Sequence, residues 1–408
     1  MKKVISLLLV TVMAASLCAC GSKVAEAPAQ DAAASNGESL DIKAGFICLH
    51  DENSTYDLNF INAAKEACEQ LGVEAVFKTG IPEGQECYDA ACELADQGCG
   101  YIFADSFGHE DYMIEAAKEF PDVQFCHATG TKAHTENLAN FHNAFASIYE
   151  GRYLAGITAG MKLNEMIANG EITEDEAKMG YVGAYTYAEV ISGYTSYFLG
   201  ARSVCPSATM EVTFTGSWYD ETAEKEGANK LIGDGCVLIS QHADSMGAPT
   251  ACESAGVPDV SYNGSTKEAC PNTFLVSSRI DWVPYFVYSI TAAANKEAID
   301  ADWTGTLATG SVVLTDLGDA VADGTAEAIE KAKADLESGK VHVFDTKTFT
   351  VEGESLTSYM ADVDTDANYE GDHEVITDGY FNESGEGFRS APYFDLQIDG
   401  ITLLDTAF

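Results

Sequence analysis

Short apolar runs alternate with helical patterns along most of this chain, and this alternation constrains the fold more than any other feature. The first strand-like runs are 42–49, 73–77, 101–104 and 123–127, with helix-like stretches near 58–72, 85–97 and 112–120. In the first of these stretches, apolar residues recur at Ile61, Ala64, Cys68 and Leu71, which is the spacing of one helix face. Short strands separated by helices form βαβ units, so the pattern predicts a mostly parallel sheet.

The same alternation begins again after a helical stretch at 149–163. The later strand candidates are 179–184, 210–215, 237–240 and 257–262, with helices at 189–201, 221–232 and 246–255. Two sets of similar size predict an α/β protein with two doubly wound, Rossmann-like lobes. A helix at 282–295 and a strand at 311–315 are expected to return to the first lobe, so that several crossings form a multi-strand hinge. Hinged lobes bind a ligand in their cleft and close around it.

These patterns predict the domain boundaries. Lobe 1 is expected to comprise 41–145 with 282–315, and lobe 2 is expected to comprise 146–281 with 316–352, including a helix at 320–338 and a strand at 341–344. Residues 353–408 form an acidic, irregular extension. Its segment 362–373 resembles a calcium loop only loosely, because Ala367 and His373 stand where an EF-hand needs Gly and Glu. No metal site is predicted there.

The N-terminus predicts export. Two lysines follow Met1, residues 4–16 are apolar, and the sequence LCACG occupies 17–21, the arrangement of a secretory signal peptide. The run ending in Cys20 resembles a bacterial lipobox, in which cleavage leaves this cysteine as a diacylated N-terminus. Residues 21–40 are rich in Ala, Ser and acidic residues and predict a flexible linker. No later run reaches the roughly 18 apolar residues of a membrane span. The chain is therefore expected outside the cytoplasm of a bacterium, held on the cell membrane by lipid alone.

Charge and cysteine content exclude several functions. The formal net charge of −43 argues against nucleic acid or an anionic membrane surface as a partner. Ten cysteines follow Cys20, with no Cys-x-x-Cys and no zinc-finger spacing among them. Some lie in apolar runs where a thiol behaves as a small hydrophobe, and the sequence leaves the pairing of any disulfides open.

Polar and aromatic residues follow the predicted strands, most densely within 213–245. This stretch has two apolar runs that end in GSWYD at 216–220 and QHADS at 241–245. The carboxyl ends of parallel strands meet at one crevice, where ligands bind in open α/β sheets. The candidate ligand-binding residues are Tyr56, Asp57, Asn59, Phe107, Tyr185, Trp218, His242, Asp244, Ser245 and Asn263. Aromatic faces beside amides and carboxylates suit a flat, nitrogen-rich heterocycle.

Sequence signatures of enzymes are missing. The chain has no Gly-x-Ser-x-Gly elbow, Walker loop, Gly-x-Gly-x-x-Gly or His-Glu-x-x-His motif. His242, Asp244 and Ser245 lie too close together in one loop for a catalytic triad, in which the base and its orienting group come from separate elements. A binding protein without catalytic residues or cofactor is therefore predicted.

Several motifs together resemble the basic-membrane-protein family of substrate-binding lipoproteins, which includes purine nucleoside receptors of ABC importers. The matching segments are DSFG at 105–108, AAKEFPDVQFCHATG at 116–130, YEGRYLAGITAG at 149–160, GYVG at 180–183, LGARSV at 199–204, GSWYD at 216–220, QHADS at 241–245 and DWVPY at 281–285. The resemblance covers about 43–344. It implies the fold of type I periplasmic binding proteins, an ABC permease as partner and a purine nucleoside or base as ligand.

The resemblance also implies roles for particular residues. Trp218 corresponds to a base-stacking aromatic of the second lobe, Phe107 and the loop at 56–59 to the first lobe's contribution, and Asp244 to a polar residue of the cleft. Where a nucleoside receptor can hold the ribose diol with Gly-x-Asp, this chain has Ser-Tyr-Asn ending at Asn263. An amide cannot accept a diol as an ionised carboxylate does, so a free base is an alternative to a nucleoside.

Other functions stay open on the sequence alone. One alternative in the same structural class binds a sugar or another small polar solute, with the aromatic residues as platforms. Another is an extracellular enzyme that processes nucleosides, which would need a nucleophile or metal-bound water in the cleft. A signalling receptor that docks a membrane partner after closure would share all the features described.

Overall fold

The computed structural model describes residues 39–362, 373–385 and 388–406. The predicted signal peptide, Cys20 and nearly all of the linker lie outside these residues, as does most of the acidic segment 362–373. The strands are β1 (Lys43–Ile47), β2 (Glu74–Lys78), β3 (Tyr101–Ala104), β4 (Gln124–Ala128), β5 (Phe141–Ala146), β6 (Lys178–Gly183), β7 (Thr209–Phe214), β8 (Leu238–His242), β9 (Asp259–Tyr262), β10 (Phe274–Ile280), β11 (Asp302–Gly305), β12 (Val312–Leu314), β13 (Met360–Ala361), β14 (His373–Glu374), β15 (Ile376–Thr377), β16 (Tyr380–Phe381) and β17 (Ile401–Leu403). The α-helices are α1 (Thr55–Leu71), α2 (Gln85–Asp96), α3 (Glu110–Glu119), α4 (Ala133–Glu136), α5 (Ile148–Ala168), α6 (Ala188–Val204), α7 (Glu221–Gly233), α8 (Gly247–Ala255), α9 (Val283–Asn295) and α10 (Thr325–Glu337).

The first lobe is built on a parallel sheet of six described strands in the order β11-β5-β4-β3-β1-β2. Successive residues of a strand point to opposite faces, and β3 shows the result. Phe103 faces α1 and α9, where its ring lies 6.2 Å from that of Trp282. Ile102 belongs to the opposite core, which Leu94 of α2 and Met113 of α3 complete. The sheet therefore carries helices on both faces.

The second lobe repeats this plan. Its sheet has seven described strands in the order β12-β10-β9-β8-β6-β7-β17, all parallel except β12. Tyr181 of β6 packs toward α5 and α6, whereas Val182 faces the core that α7 and α8 cover with Leu231 and Ala251. The predicted α/β class with two doubly wound lobes is confirmed.

In the part of the chain that the structure describes, the lobes are connected by crossings from β5 to α5, from β10 to α9 and from β11 to β12. Hydrogen bonds tie the crossings to one another. The Ser147 amide donates to the Gly305 carbonyl at 2.8 Å, and the Asp281 amide donates to the Ser311 carbonyl at 2.7 Å. Short paired crossings of this kind form a hinge about which the lobes open and close.

Two strand predictions are wrong. The strand expected at 311–315 does not join the first lobe, because β12 pairs antiparallel with β10 in the second sheet. The strand expected at 341–344 is absent from the described chain, which forms a turn there. Its apolar character instead serves packing, since the Phe344 ring stacks on Phe394 with centroids 4.3 Å apart.

The acidic C-terminal extension is an integral part of the fold where the structure describes it. Strand β17 adds a parallel edge strand beside β7 of the second sheet. The Ser390 amide donates to Asp302 Oδ1 of the first lobe at 2.9 Å, and Glu383 accepts a hydrogen bond from Ser192 of α6 at 2.6 Å. The extension thus contacts both lobes, which its irregular sequence did not indicate.

The ten cysteines of the described residues are all free thiols, and nine of them are buried. Burial raises the pKa of Cys68 to about 11 and that of Cys126 to about 12, so these thiols stay protonated at neutral pH. A buried protonated thiol packs as a small hydrophobe and is a poor nucleophile. The cysteines therefore serve the cores of the two lobes.

Candidate ligand-binding site

A cavity of about 370 Å³, its opening to solvent included, lies between the carboxyl ends of the two sheets. The first lobe lines it with Leu49, His50, Tyr56, Asp57, Ser106, Phe107 and Thr129, and the second with Glu189, Trp218, His242, Asp244 and Tyr262. Each of these residues ends a strand, follows one or begins the next helix. Small-molecule sites of open α/β sheets occupy this position.

Six of the residues predicted from the sequence line this cavity, namely Tyr56, Asp57, Phe107, Trp218, His242 and Asp244. Tyr185 does not line the cavity and lies behind Trp218, with ring centroids 5.1 Å apart in an edge-to-face arrangement. Ser245 is buried, and its hydroxyl accepts the Gly247 amide at the start of α8. Both residues lie outside the cavity and support the residues that line it.

Asn59 and Asn263 face a different groove between the lobes, beside α1 and the second crossing. The side-chain amide of Asn59 donates to the Ile280 carbonyl at 2.8 Å, so this side chain bridges the two lobes. Asn263 is 3% exposed, and its φ of 65° places it in the left-handed region that Asn adopts more readily than most residues. These two predicted ligand-binding residues therefore line a groove separate from the aromatic cavity.

The cavity has an aromatic wall on each lobe. Tyr56 is held by its hydroxyl, which donates to the Asp105 carbonyl at 2.6 Å, and by its ring, which packs edge-to-face on Phe60 at 4.9 Å. On the second lobe, the Trp218 ring packs edge-to-face on Tyr185 with centroids 5.1 Å apart. Rings fixed in this way offer flat apolar surfaces without further loss of rotamer freedom on binding.

Asp57 presents an ionised carboxylate to the cavity from the first turn of α1. Burial by itself raises the pKa of this group, but hydrogen bonds from His50 and Ser54 outweigh burial and hold the pKa below its ordinary value of 3.8. One of these bonds joins the His50 amide to Asp57 Oδ1 at 2.8 Å. The helix N-terminus also favours a negative charge at this position. Asp57 therefore acts as a hydrogen-bond acceptor at neutral pH.

Asp244 lies opposite, in the second lobe, and its carboxyl group has a different environment. It is 5% exposed, and no donor among the described residues binds its side-chain oxygens. Burial and the nearby carboxylates of Asp57, Glu224 and Glu189 raise its pKa well above 3.8. A buried carboxyl group without a protein partner is costly, and donors brought by a ligand would relieve that cost.

His242 and Glu189 form a pair at the end of the cavity. The imidazole Nε2 lies 3.4 Å from Glu189 Oε1, and the ring packs against Tyr262 with centroids 4.6 Å apart. Burial lowers the pKa of His242, although the bond to Glu189 acts in the opposite direction. The histidine thus contacts Glu189 rather than its sequence neighbour Asp244, so the arrangement is that of a polar wall and not of a triad.

The two lobes are in contact around the cavity, so the structure is a closed form. The Thr55 amide at the start of α1 donates to the Asp244 carbonyl across the cleft at 3.0 Å. The rings of His50 and Tyr219 approach to 5.3 Å between the lobes. A ligand of this cavity must therefore enter an open form and be enclosed by closure.

The sequence prediction missed part of the lining. The residues are Leu49, His50, Ser106, Thr129, Glu189 and Tyr262. The same signal, a position at the end of a predicted strand or at the start of the next helix, would have found them. Tyr262 looked like a strand residue of the core, and it is in fact buried with its other face over the Arg152 guanidinium at 4.4 Å. Only the fold shows which polar strand ends face inward.

One group of side chains next to the cavity has the residue types of a metal site. The potential ligand atoms of Cys48, Asp57 and Asp105 lie within 4.8 Å of one another, and all three residues are buried. Burial raises the pKa of the Cys48 thiol and of the Asp105 carboxyl well above their ordinary values. A metal ion would have to displace both protons, since metals bind the deprotonated forms.

No helix within the described residues combines the length and the apolar character needed to cross a membrane.

Comparison with solved structures supports the fold. An ABC transporter solute-binding protein from Aeropyrum pernix K1 superimposes with a TM-score of 0.64 at 16% identity, covering 74% of this chain and 93% of that one. One from Conexibacter woesei superimposes with a TM-score of 0.60 at 19% identity, covering 74% and 98%. These likenesses establish the shared two-lobed architecture.

Sequence relatives carry different ligand names. A purine-binding protein of Brucella abortus is 33% identical over 64% of this chain and 70% of its own length. A putative ABC transporter glucose-binding protein of Haloferax volcanii is also 33% identical, over 62% of this chain and 61% of its own length. An ABC transporter nucleoside-binding protein of Lactococcus lactis is 23% identical over 77% of this chain and 92% of its own length.

The model of the PnrA-like ABC transporter substrate-binding proteins matches residues 49–347, which include most of both lobes and every residue that lines the cavity. This family comprises extracytoplasmic binding proteins that deliver small molecules to ABC permeases, and its members are not enzymes. The resemblance found in the motifs is thereby confirmed. The chain belongs to the PnrA-like family of ABC transporter substrate-binding proteins.

Proposed function

We propose that this protein binds a purine in the closed cavity and delivers it to an ABC permease. The observation that carries the proposal is the pairing of aromatic rings on both lobes with two buried carboxyl groups, Asp57 and Asp244, that face one cavity. Purines have flat aromatic faces and several N–H groups at their edges. Tyr56 and Trp218 supply the faces, and the carboxyl groups accept from the N–H donors. The purine-binding relative agrees with this choice.

The free base suits the cavity better than the nucleoside. The position at which nucleoside receptors can hold a ribose diol corresponds to Asn263, and this residue faces another groove. A ribose would thus lack its expected acceptor, and its hydroxyl groups would lose water without full compensation. Glu189 is the remaining carboxylate of the cavity, but it is already paired with His242. We therefore expect free purine bases to bind more tightly than their nucleosides.

A ligand panel tests this proposal. The chain without its first 21 residues is mixed with adenine, guanine, hypoxanthine, adenosine, guanosine, uracil and glucose, and the melting temperature is measured. A ligand at about 100 times its dissociation constant should stabilise the protein by roughly 2.7 kcal/mol. Purine bases should produce the largest shift, nucleosides a smaller one, and uracil little or none. A shift with glucose and none with any purine would show that the proposal is wrong.

Glucose belongs in the panel because sugar binding is the second candidate. One relative is named a putative glucose-binding protein, and carboxylates beside aromatic rings also hold sugars through hydroxyl hydrogen bonds and stacking. The two candidate ligands differ in how much of the aromatic surface they would contact. A purine stacks its whole face, whereas a sugar presents a smaller apolar face.

Replacing Trp218 by alanine is expected to weaken purine binding about tenfold, a loss of roughly 1.4 kcal/mol. The indole forms the second lobe's aromatic wall, and the backbone bond between Trp218 and Asp244 does not depend on the side chain. Isothermal titration calorimetry measures the affinity. Tyr187→Ala is the matched control, since this neighbouring ring is 42% exposed and does not line the cavity. Equal effects of the two variants would remove Trp218 from the site.

We also propose that the protein is held on the outer face of the cell membrane by a lipid on Cys20. The support is the sequence at 1–21 and the location of the family outside the cytoplasm. The linker at 21–40 would then separate the membrane from the first lobe, which begins with β1 at Lys43. Such a tether leaves the two lobes free to open, close and meet a permease.

A further inference from the structure

The carboxyl groups of Asp57 and Asp105 meet in the interior of the first lobe, directly behind the cavity. Both residues are 0% exposed. Successive backbone amides bind one oxygen of each group, since the Leu49 amide donates to Asp105 Oδ1 at 3.1 Å and the His50 amide to Asp57 Oδ1 at 2.8 Å. The second oxygen of Asp105, Oδ2, is buried and has no donor among the described residues. One carboxyl oxygen of Asp105 lies within 4.8 Å of an Asp57 oxygen.

Two ionised carboxylates this close repel each other strongly inside a protein, and one proton shared between them removes the repulsion. The environment decides which group keeps that proton. Three features stabilise a negative charge on Asp57. They are the His50 imidazole 3.4 Å away, Ser54, and the N-terminus of α1. Asp105 has one backbone amide and the thiol of Cys48, which is a weak donor. The proton therefore belongs on Asp105.

We propose that Asp105 is a positioning residue that stays neutral and donates its O–H to Asp57, which fixes the Asp57 carboxylate toward the ligand. This inference rests on the proposed binding of an N–H donor by Asp57. The pair makes Asp57 an acceptor that is oriented before the ligand arrives, and pre-orientation reduces the entropy lost on binding. The raised pKa of Asp105 and the lowered pKa of Asp57 agree with this division.

Other titratable groups surround the pair, and their effects must be separated from it. They are Cys48 directly after β1, His50 and Glu52 before α1, Tyr56 on α1, Glu83 and Cys87 around the start of α2, His127 on β4, and Asp244 and Glu189 across the cleft. His127 is buried, and burial lowers its pKa to about 4, so it brings no positive charge at neutral pH. Among these groups, the His50 imidazole lies close to Asp57, with Nδ1 3.4 Å from Oδ2.

The ligand-free protein provides the first test. Its aspartate carboxyl carbons are labelled with ¹³C and followed by NMR between pH 4 and 9. One carboxyl resonance that Asp105→Asn removes should keep the chemical shift of a protonated acid at pH 7. The stability of the wild type should also fall with rising pH more steeply than that of D105N. The reason is that the native state retains a proton which the unfolded chain releases above the ordinary pKa of 3.8.

Binding provides the second test, with adenine as the probe. Asp105→Asn keeps an acceptor for the Leu49 amide and an N–H donor for Asp57, so affinity should stay within about threefold of the wild type. Asp105→Ala removes the donor and should weaken binding about tenfold. Asp259→Asn is the control for loss of a buried carboxyl group, because Asp259 bonds Ser261 away from the cavity and its pKa is raised to about 7. This control should leave the affinity unchanged.

The outcomes are distinguishable from those of the proposed function. If no purine binds the wild type, the purine assignment fails, while the NMR and stability measurements still decide whether Asp105 is neutral. An Asp105 resonance that is ionised at pH 7 would overturn the inference. So would equal weakening of adenine binding by D105N and D105A, because the charge rather than the donor would then matter. Stoichiometric binding of Zn²⁺ that is lost in Cys48→Ala would assign the cluster to a metal instead.

Discussion

Asp244→Ala is expected to weaken purine binding by about 10- to 100-fold and at the same time to stabilise the unliganded protein. Removing the acceptor leaves a ligand N–H group unpaired in a buried site, which costs about 1–3 kcal/mol and corresponds to this loss of affinity. The gain in stability follows from burial. The Asp244 side chain is 5% exposed and lacks a protein donor among the described residues, and truncation leaves the backbone bond to Thr55 in place. A rise of about 1 kcal/mol in the free energy of unfolding is expected.

The gain in stability of the Asp244→Ala variant over the wild type should increase with pH. Burial and neighbouring carboxylates raise the pKa of Asp244 in the native state above its ordinary value of 3.8, so the native state holds a proton that the unfolded state releases. Wild-type stability then falls as the pH rises above that value, up to the native pKa, and the alanine variant lacks this fall. The difference between the two proteins should therefore grow from pH 4 toward neutral pH.

Denaturant unfolding at several pH values and calorimetric titration measure the two effects. Asp316→Ala is a suitable control, since it removes one negative charge from an exposed position outside the cavity. It should change neither the affinity nor the pH dependence of stability. An alanine variant of Asp244 that is less stable than the wild type at neutral pH, or one that binds purine normally, would contradict the assignment of this carboxyl group.

Gly156→Ala is expected to destabilise the second lobe by about 3 kcal/mol or more. Helices α5 and α6 cross so closely that a Cβ atom on Gly156 would overlap the Tyr197 carbonyl oxygen, and one on Gly200 would overlap the Tyr153 carbonyl oxygen. The obstacle in each case is helix backbone, which cannot rotate aside as a side chain can. Overpacking of a core costs about 1–3 kcal/mol even when side chains can adjust.

Gly233→Ala is the matched control for this helix substitution. Gly233 ends α7, and a Cβ atom there would meet no atom within 4 Å. Its replacement should stabilise the protein by about 0.5–1 kcal/mol, because alanine loses less backbone entropy than glycine in a helix. Urea unfolding midpoints compare the two variants. Similar midpoints would mean that α5 and α6 separate at little cost.

Much of the candidate site follows from local sequence pattern. Trp218 and Asp244 could be predicted because each follows a strand with clear apolar character, and the ends of parallel strands converge. Asn263 satisfied the same rule but faces another groove. Its position depends on a left-handed backbone conformation and on how the lobes close, and neither is encoded in the pattern of apolar residues.

The missed strands have a physical explanation as well. Strand β5 carries His142 and Asn143, and β11 has the sequence DWTG, so neither shows the apolar run that identifies a buried strand. They are strands because they pair with each other beside β4, and Asn143 finds a partner in Asp302 at 3.1 Å. Pairing over a separation of more than 150 residues compensates for weak local preference.

The stretch 213–245 shows which features follow from the sequence pattern and which depend on the tertiary structure. By itself the sequence determined the α/β class, the two lobes and the polar, aromatic ends of β7 and β8, because these depend on periodicity and residue type along the chain. The tertiary structure alone decided that His242 pairs with Glu189, that Asp244 lacks a partner among the described residues and that Asp105 lies behind Asp57. Such pairings join residues far apart in sequence, and only the packing of whole elements brings them within bonding distance.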